Sequence, residues 1–102
     1  NELVLQALHV DSFGNVTMHV KGPALRALLE ESEASGIAIP GYGPARCVRT
    51  YGEGPKDGPF FLWGSSGRLE LAMDRRSAAE LLGVAAGAEL RFPLVRKERA
   101  AS

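Results

Sequence analysis

Two short segments carry most of the chemistry this sequence could perform. Asp11-Ser12-Phe13-Gly14-Asn15 places an aromatic ring at a bend, between a carboxylate and a carboxamide. An aromatic ring can stack on a heterocycle. A carboxamide both donates and accepts, which suits an adenine edge, where N7 accepts and N6 donates. A carboxylate suits an ammonium. Gly64-Ser65-Ser66-Gly67 offers two hydroxyls and the backbone N–H groups of a tight turn, a combination that can receive a carboxylate. Each segment by itself is also an ordinary hairpin turn, because Asp and Asn hydrogen-bond their own backbone and Gly accepts positive φ.

Other chemistries lack their residues. His9 and His19 flank the first turn and could face one another across strands, but two ligands do not make a metal site. There is no phosphate-binding loop and no dinucleotide fingerprint. Gly64-Ser65-Ser66-Gly67 is one residue short of Gly-x-Ser-x-Gly. Cys47 is the one cysteine, so the fold needs no internal disulfide. Its neighbours Arg46 and Val48 supply no base, and it reads as a small core or strand residue. Twelve acids balance twelve bases, which leaves no electrostatic footprint for nucleic acid and weakly favours self-association. Arg96-Lys97 and Arg99 read as part of a polar tail over 96–102. No apolar run approaches the roughly 20 residues of a membrane helix. The opening Asn-Glu-Leu-Val-Leu lacks the features of a signal peptide, so the expected location is cytoplasmic and no membrane partner is expected. The chain does not begin with Met, which suggests a fragment or a processed chain.

The elements that must position the two turns follow from periodicity. Residues 3–10 read as a strand, and Val16, Met18 and Val20 share one face of the next, making a hairpin around the first turn. Gly22-Pro23 opens a short helix whose stripe is Ala24, Leu25, Leu28 and Leu29. Residues 36–44 read as a Gly/Pro-rich loop, and residues 45–51 as a strand. Phe60-Phe61-Leu62-Trp63 and residues 68–73 form a second hairpin around Gly64–Gly67, with Arg68 and Glu70 facing out. Ser77 caps a helix over 77–82 with Glu80 three residues on, a capping-box pattern, and Gly83 stops it. Residues 88–95 form the last strand, and Pro93 argues for an edge position. The sum is a mainly β domain over 1–95: a small β-barrel of five to six short strands with one or two short helices.

In order and spacing these motifs resemble the C-terminal domain of the S-adenosyl-L-methionine (SAM) hydroxide adenosyltransferases and the related SAM halogenases. Asp11 to Asn15 resembles the family's D-x-F-G-N segment, and Thr50-Tyr51 its T-Y. Ser65 to Ala72 resembles N-S-S-G-x-L-E-I-A, and Ser77 to Gly83 its S-A-A-x-x-L-G helix. The likeness runs from about residue 3 to residue 95. Gly64 departs from the usual Asn, Arg76 takes a Gly position within Asp74-Arg75-Arg76, and Met18-His19 replaces T-N.

The resemblance implies a barrel that follows a larger N-terminal α/β domain, in a homotrimer whose SAM site lies where domains of neighbouring subunits meet. SAM would be the substrate and no cofactor is implied; water attacks the ribose C5′ to give adenosine and methionine. By position, Phe13 would pack on the adenosine and Asn15 would bond the adenine. Asp11 would hold the amine, and Ser65 and Ser66 the carboxylate. Tyr51 or a near neighbour would cover the other adenine face, and backbone from Ala72 to Arg75 would meet its edge. The family's catalytic residues lie in the N-terminal domain, so no catalytic residue is expected in this chain and little turnover from it alone. The alternative is a non-catalytic β-barrel interaction or oligomerisation module, or an adenosine or SAM sensor, of the same ancestry.

Overall fold

A computed structural model of the chain describes residues 2–64 and 66–97. The elements run β1 (Glu2–Val10), β2 (Val16–Lys21), α1 (Gly22–Glu31), β3 (Ala34–Ile39), β4 (Gly43–Pro44), β5 (Cys47–Val48), a 3₁₀ turn (Tyr51–Glu53), β6 (Phe60–Trp63), β7 (Arg68–Ala72), α2 (Ala78–Leu82) and β8 (Glu89–Arg96). The strands form one sheet in the order β4-β3-β8-β1-β2-β7-β6-β5. Its pairings are antiparallel except for β5 with β6.

This sheet is curled. Three strands separate β6 from β8, which in a flat sheet would set them roughly 19 Å apart at about 4.8 Å per step. Yet Phe61 of β6 and Phe92 of β8 meet edge to face with centroids 5.3 Å apart. The mainly β half-barrel with two short helices agrees with the expected class. Period-2 alternation builds the inside: Leu3, Leu5 and Ala7 of β1, Val16, Met18 and Val20 of β2, and Leu69 and Leu71 of β7 are all buried there. Each large side chain removed from water in this way contributes about 1.5–3 kcal/mol. Leu25 of α1 closes one part of this core. A smaller cluster of Val48, Phe60 and Ala72 lies apart from it, with Leu62 packed against it.

Four local expectations need correction. The segment 36–44 is not a loop throughout: Ala34–Ile39 is β3, with Ile37 and Ile39 buried on alternate positions, and Gly43–Pro44 is β4. Gly36 and Pro40 obscure that alternation. The strand expected over 45–51 shrinks to Cys47–Val48, and Tyr51 starts a 3₁₀ turn instead. Pro93 is not on an edge, because β8 lies between β3 and β1. The β1 pairing ends at Glu2–Pro93 and the β3 pairing begins at Ile37–Leu94, so the missing N–H falls where the strand changes partners. Finally, Arg96 ends β8, and the Lys97 N–H donates to Glu33 O at 3.0 Å; Arg99 lies outside the described residues.

Candidate functional site

Asp11 constructs the first turn. Its Oδ1 accepts from the N–H groups of Phe13 (2.9 Å) and Asn15 (3.0 Å), and its Oδ2 accepts from Asn15 Nδ2 (3.2 Å). The Asp11 N–H donates to Asn15 O, and the Gly14 N–H to Asp11 O, each at 3.0 Å. This lattice leaves the Phe13 ring 78% exposed. Gly14 then docks the turn on the start of α2. Its φ is +84°, and a Cβ there would come within 1.9 Å of Ser77 Oγ. The Ala79 N–H donates to Gly14 O at 2.9 Å, and Ser77 Oγ accepts from the Glu80 N–H at 3.0 Å. The reciprocal bond from the Glu80 side chain is not among the hydrogen bonds of the described residues. A capping box forms instead at the 3₁₀ turn. There Glu53 Oε1 accepts from Thr50 N–H (2.9 Å) and Thr50 Oγ1–H (3.0 Å), which lowers the Glu53 pKa, the side-chain bond contributing most.

That box holds Tyr51 in place. Its ring meets Phe60 edge to face at 5.7 Å and 64°. Its hydroxyl donates to Met73 O and accepts from the Arg75 N–H at 3.0 Å. One phenol thus pins the loop that leaves β7, including Arg75 at φ +55°.

Phe13, Asn15, Tyr51, Arg75, Arg76 and Ser77 line a cleft of about 480 Å³. Four residues singled out in the sequence, from three separate segments, therefore meet. Arg76, noted above only as a departure from a Gly position, stands in the cleft wall, as does the cap residue Ser77. Ala72 does not line it: the residue is fully buried beside Phe60, its partner in the β6–β7 register. Ser66 is exposed at the far end of β7, next to the turn in which the Gly67 N–H donates to Gly64 O at 2.9 Å. Ser65 lies outside the described residues. Five residues of β7 separate the second turn from the Arg75 loop, roughly 17 Å of strand.

A residue unremarked for binding in the sequence occupies the space between. Glu70 is paired with Thr17 in the β2–β7 register and extends toward the second turn, where a Cβ on Gly64 would lie 1.9 Å from its Oε2. It has no hydrogen bond or ion pair among the described residues. Its pKa is raised, first by desolvation and then by the Asp11 charge. The signal for Glu70 is its neighbour: a glycine where a side chain would compete for the same space.

The remaining candidates fall away from the cleft. Trp63 lines a different cleft with Arg26 and Arg49. His9 pairs with Thr17, while His19 Nδ1 accepts from the Gln6 N–H at 3.0 Å. No cluster able to hold a metal ion occurs among the described residues. Cys47 is a strand residue but exposed rather than core, and partial desolvation raises its thiol pKa, which disfavours the nucleophilic thiolate. No helix of the described residues is long and apolar enough to cross a membrane.

Residues 5–91 match the model of the SAM hydroxide adenosyltransferase C-terminal domain. The chain belongs to this family. It is 36% identical over 88 residues to (R)-S-adenosyl-L-methionine hydrolase of Thermus thermophilus, a match covering 85% of this chain and 31% of that protein. Among solved structures, a conserved hypothetical protein of Thermus thermophilus matches with TM-score 0.61 and 33% identity, over 90% of this chain and 34% of its own. An uncharacterized conserved protein of Thermotoga maritima shares the fold, with TM-score 0.67 and 21% identity, over 89% of this chain and 35% of its own. The chain thus spans about one third of the length of these relatives.

Proposed function

We propose that this domain grips SAM as the C-terminal part of a SAM-hydrolysing enzyme. The observation that carries the reading is the convergence of Phe13, Asn15 and Tyr51 on one cleft. Phe13 and Tyr51 offer faces for a purine, and Asn15 offers a donor and an acceptor for its edge. From the cleft an elongated ligand would run along β7. Its sulfonium and ammonium would pass Asp11 and Glu70, whose mutual repulsion a cation relieves. Its carboxylate would reach the turn that holds Ser65 and Ser66.

In this reading water attacks the ribose C5′, methionine leaves with the C–S bonding pair, and adenosine and a proton are the other products. Alignment of the water belongs to an N-terminal α/β domain of the same or a neighbouring subunit, within a homotrimer. A domain that grips substrate without aligning the nucleophile forgoes a large part of the rate enhancement, so this chain alone is expected to turn over little SAM.

Calorimetric titration of adenosine, and then SAM, into the purified chain tests the reading, with Asn15→Ala as control. Saturable binding that weakens about tenfold in the variant supports an adenine-reading Asn15. Binding that Asn15→Ala leaves unchanged would remove the assignment of this cleft. A sensor of the same ancestry is the second reading. It requires the isolated chain to bind at least as tightly as a protein that includes the partner domain.

A further inference from the structure

A second cleft, of about 420 Å³, opens at the other end of β7 from the Phe13 cleft. It is lined by Gly22, Pro23, Arg26, Arg49, Trp63 and Gly67. Its frame is fixed by backbone: the Gly22 N–H donates to Gly67 O at 3.2 Å, which ties the start of α1 to the second turn. The Trp63 indole rests on that frame, since a Cβ on Gly22 would lie 3.8 Å from its six-membered ring. Trp63 is half-buried, whereas Arg26 and Arg49 reach the cleft from exposed positions on α1 and after β5.

The polar side-chain groups of this lining are all donors. Neither arginine forms a salt bridge among the described residues. Arg49 helps lower the Glu53 pKa through its backbone N–H and its charge, without forming a salt bridge to it. The Trp63 indole N–H has no protein acceptor among them either. No carboxylate lines the cleft, and Lys21, paired with Arg68 in the β2–β7 register, adds positive charge beside it. Two guanidinium forks and an indole face are a matched set: the forks take a carboxylate or phosphate in bidentate fashion, and the indole takes a planar ring.

We propose that Arg26, Arg49 and Trp63 form a binding site for a small aromatic anion, a planar ring bearing a carboxylate or a phosphate. Trp63 is the one tryptophan of the chain, so its fluorescence reports this cleft directly. The probes are phenyl phosphate and benzoate, with benzyl alcohol as the neutral ring and inorganic phosphate as the ringless anion. Saturable quenching by phenyl phosphate or benzoate is expected, and whichever saturates at lower concentration names the anionic group. Inorganic phosphate and benzyl alcohol should each bind at least about tenfold more weakly, since each loses one kind of contact. Arg26→Gln and Arg49→Gln should each weaken the aromatic anion about tenfold, with the circular dichroism spectrum unchanged. Quenching that stays linear in probe concentration, or that survives in the double Gln variant, overturns the proposal. So does a response confined to a poly-glutamate peptide, which would make the cleft an acidic-protein surface. Failure here leaves the adenosine reading untouched, because none of these residues lines the Phe13 cleft.

Discussion

The two turns first singled out in the sequence are built on different principles. The 11–15 turn is shaped by side chains: Asp11 commits both oxygens to it, and Gly14 seats it against Ser77. In the 64–67 turn the described contacts are backbone to backbone, with Glu70 filling the space a side chain at Gly64 would take. Side-chain latching makes the first turn a rigid presenter of Phe13 and Asn15. The second turn takes its character from a side chain of the neighbouring strand. Glycine substitution should separate the two most strongly. Gly14 and Gly67 share a positive φ, +84° and +80°, but only Gly14 has an obstacle at its Cβ position. Gly14→Ala should cost about 3 kcal/mol, the left-handed backbone penalty plus displacement of α2. Gly67→Ala should cost about 1 kcal/mol from φ alone. In thermal denaturation the first variant should fall by on the order of 15 °C and the second by about 5 °C. Equal losses would mean that the docking on Ser77 contributes nothing.

Asp11 sharpens the comparison next. Asp11→Ala removes an acceptor for two backbone N–H groups and one carboxamide, with an expected cost of about 1–2 kcal/mol. Asp11→Asn keeps one carbonyl oxygen and should lose about half as much. The informative readout is binding. Adenosine lacks the methionine ammonium, so a residue that only held that ammonium would leave adenosine affinity unchanged on mutation. A residue that aims Phe13 and Asn15 should weaken it several-fold. Adenosine titrations with Asp11→Ala decide which role dominates.

The same contrast explains what was legible in the sequence. Strands β2 and β7 show in their alternation, and β1 and β6 as short, largely apolar runs. Phe13 and Asn15 are readable because a D-x-F-G-N turn builds its own geometry from neighbours in the chain. Tyr51 reads as a strand residue, yet it works from a 3₁₀ turn through Met73 and Arg75, more than twenty positions away. Local pattern carries no information about such a partner. Strand β3 is hidden by Gly36 and Pro40, and its place beside β8 depends on tertiary pairing that propensity does not encode. Pro93 misleads for the same reason, because a strand that changes partners midway tolerates a missing donor in its interior. Glu70 draws no notice because outward-facing glutamates are ordinary. Only the folded chain places it beside Asp11 and over Gly64.

Glu70 gives the smallest effect on stability and the finest distinction between the two turns. Its pKa is raised in the folded state, so folding favours the protonated form. The stability this contributes is fully present below the unfolded carboxylate value near 4.5 and is lost as pH climbs through the raised folded value. At neutral pH the ionised side chain is therefore a cost, carried without a compensating partner among the described residues. Glu70→Gln should be slightly more stable than the parent at pH 7, by less than ~1 kcal/mol because solvent screens a group that is only partly buried. The gain should shrink to nothing as pH falls toward about 4. A destabilising charge kept in place is what a site for a cation requires, since the ligand supplies the missing partner. The same variant should then bind SAM several-fold more weakly while binding adenosine unchanged, unlike Asp11→Ala, which should weaken both. If Glu70→Gln instead lowers stability at pH 7, or weakens both ligands alike, Glu70 is part of the scaffold, and the second turn must take its ligand without it.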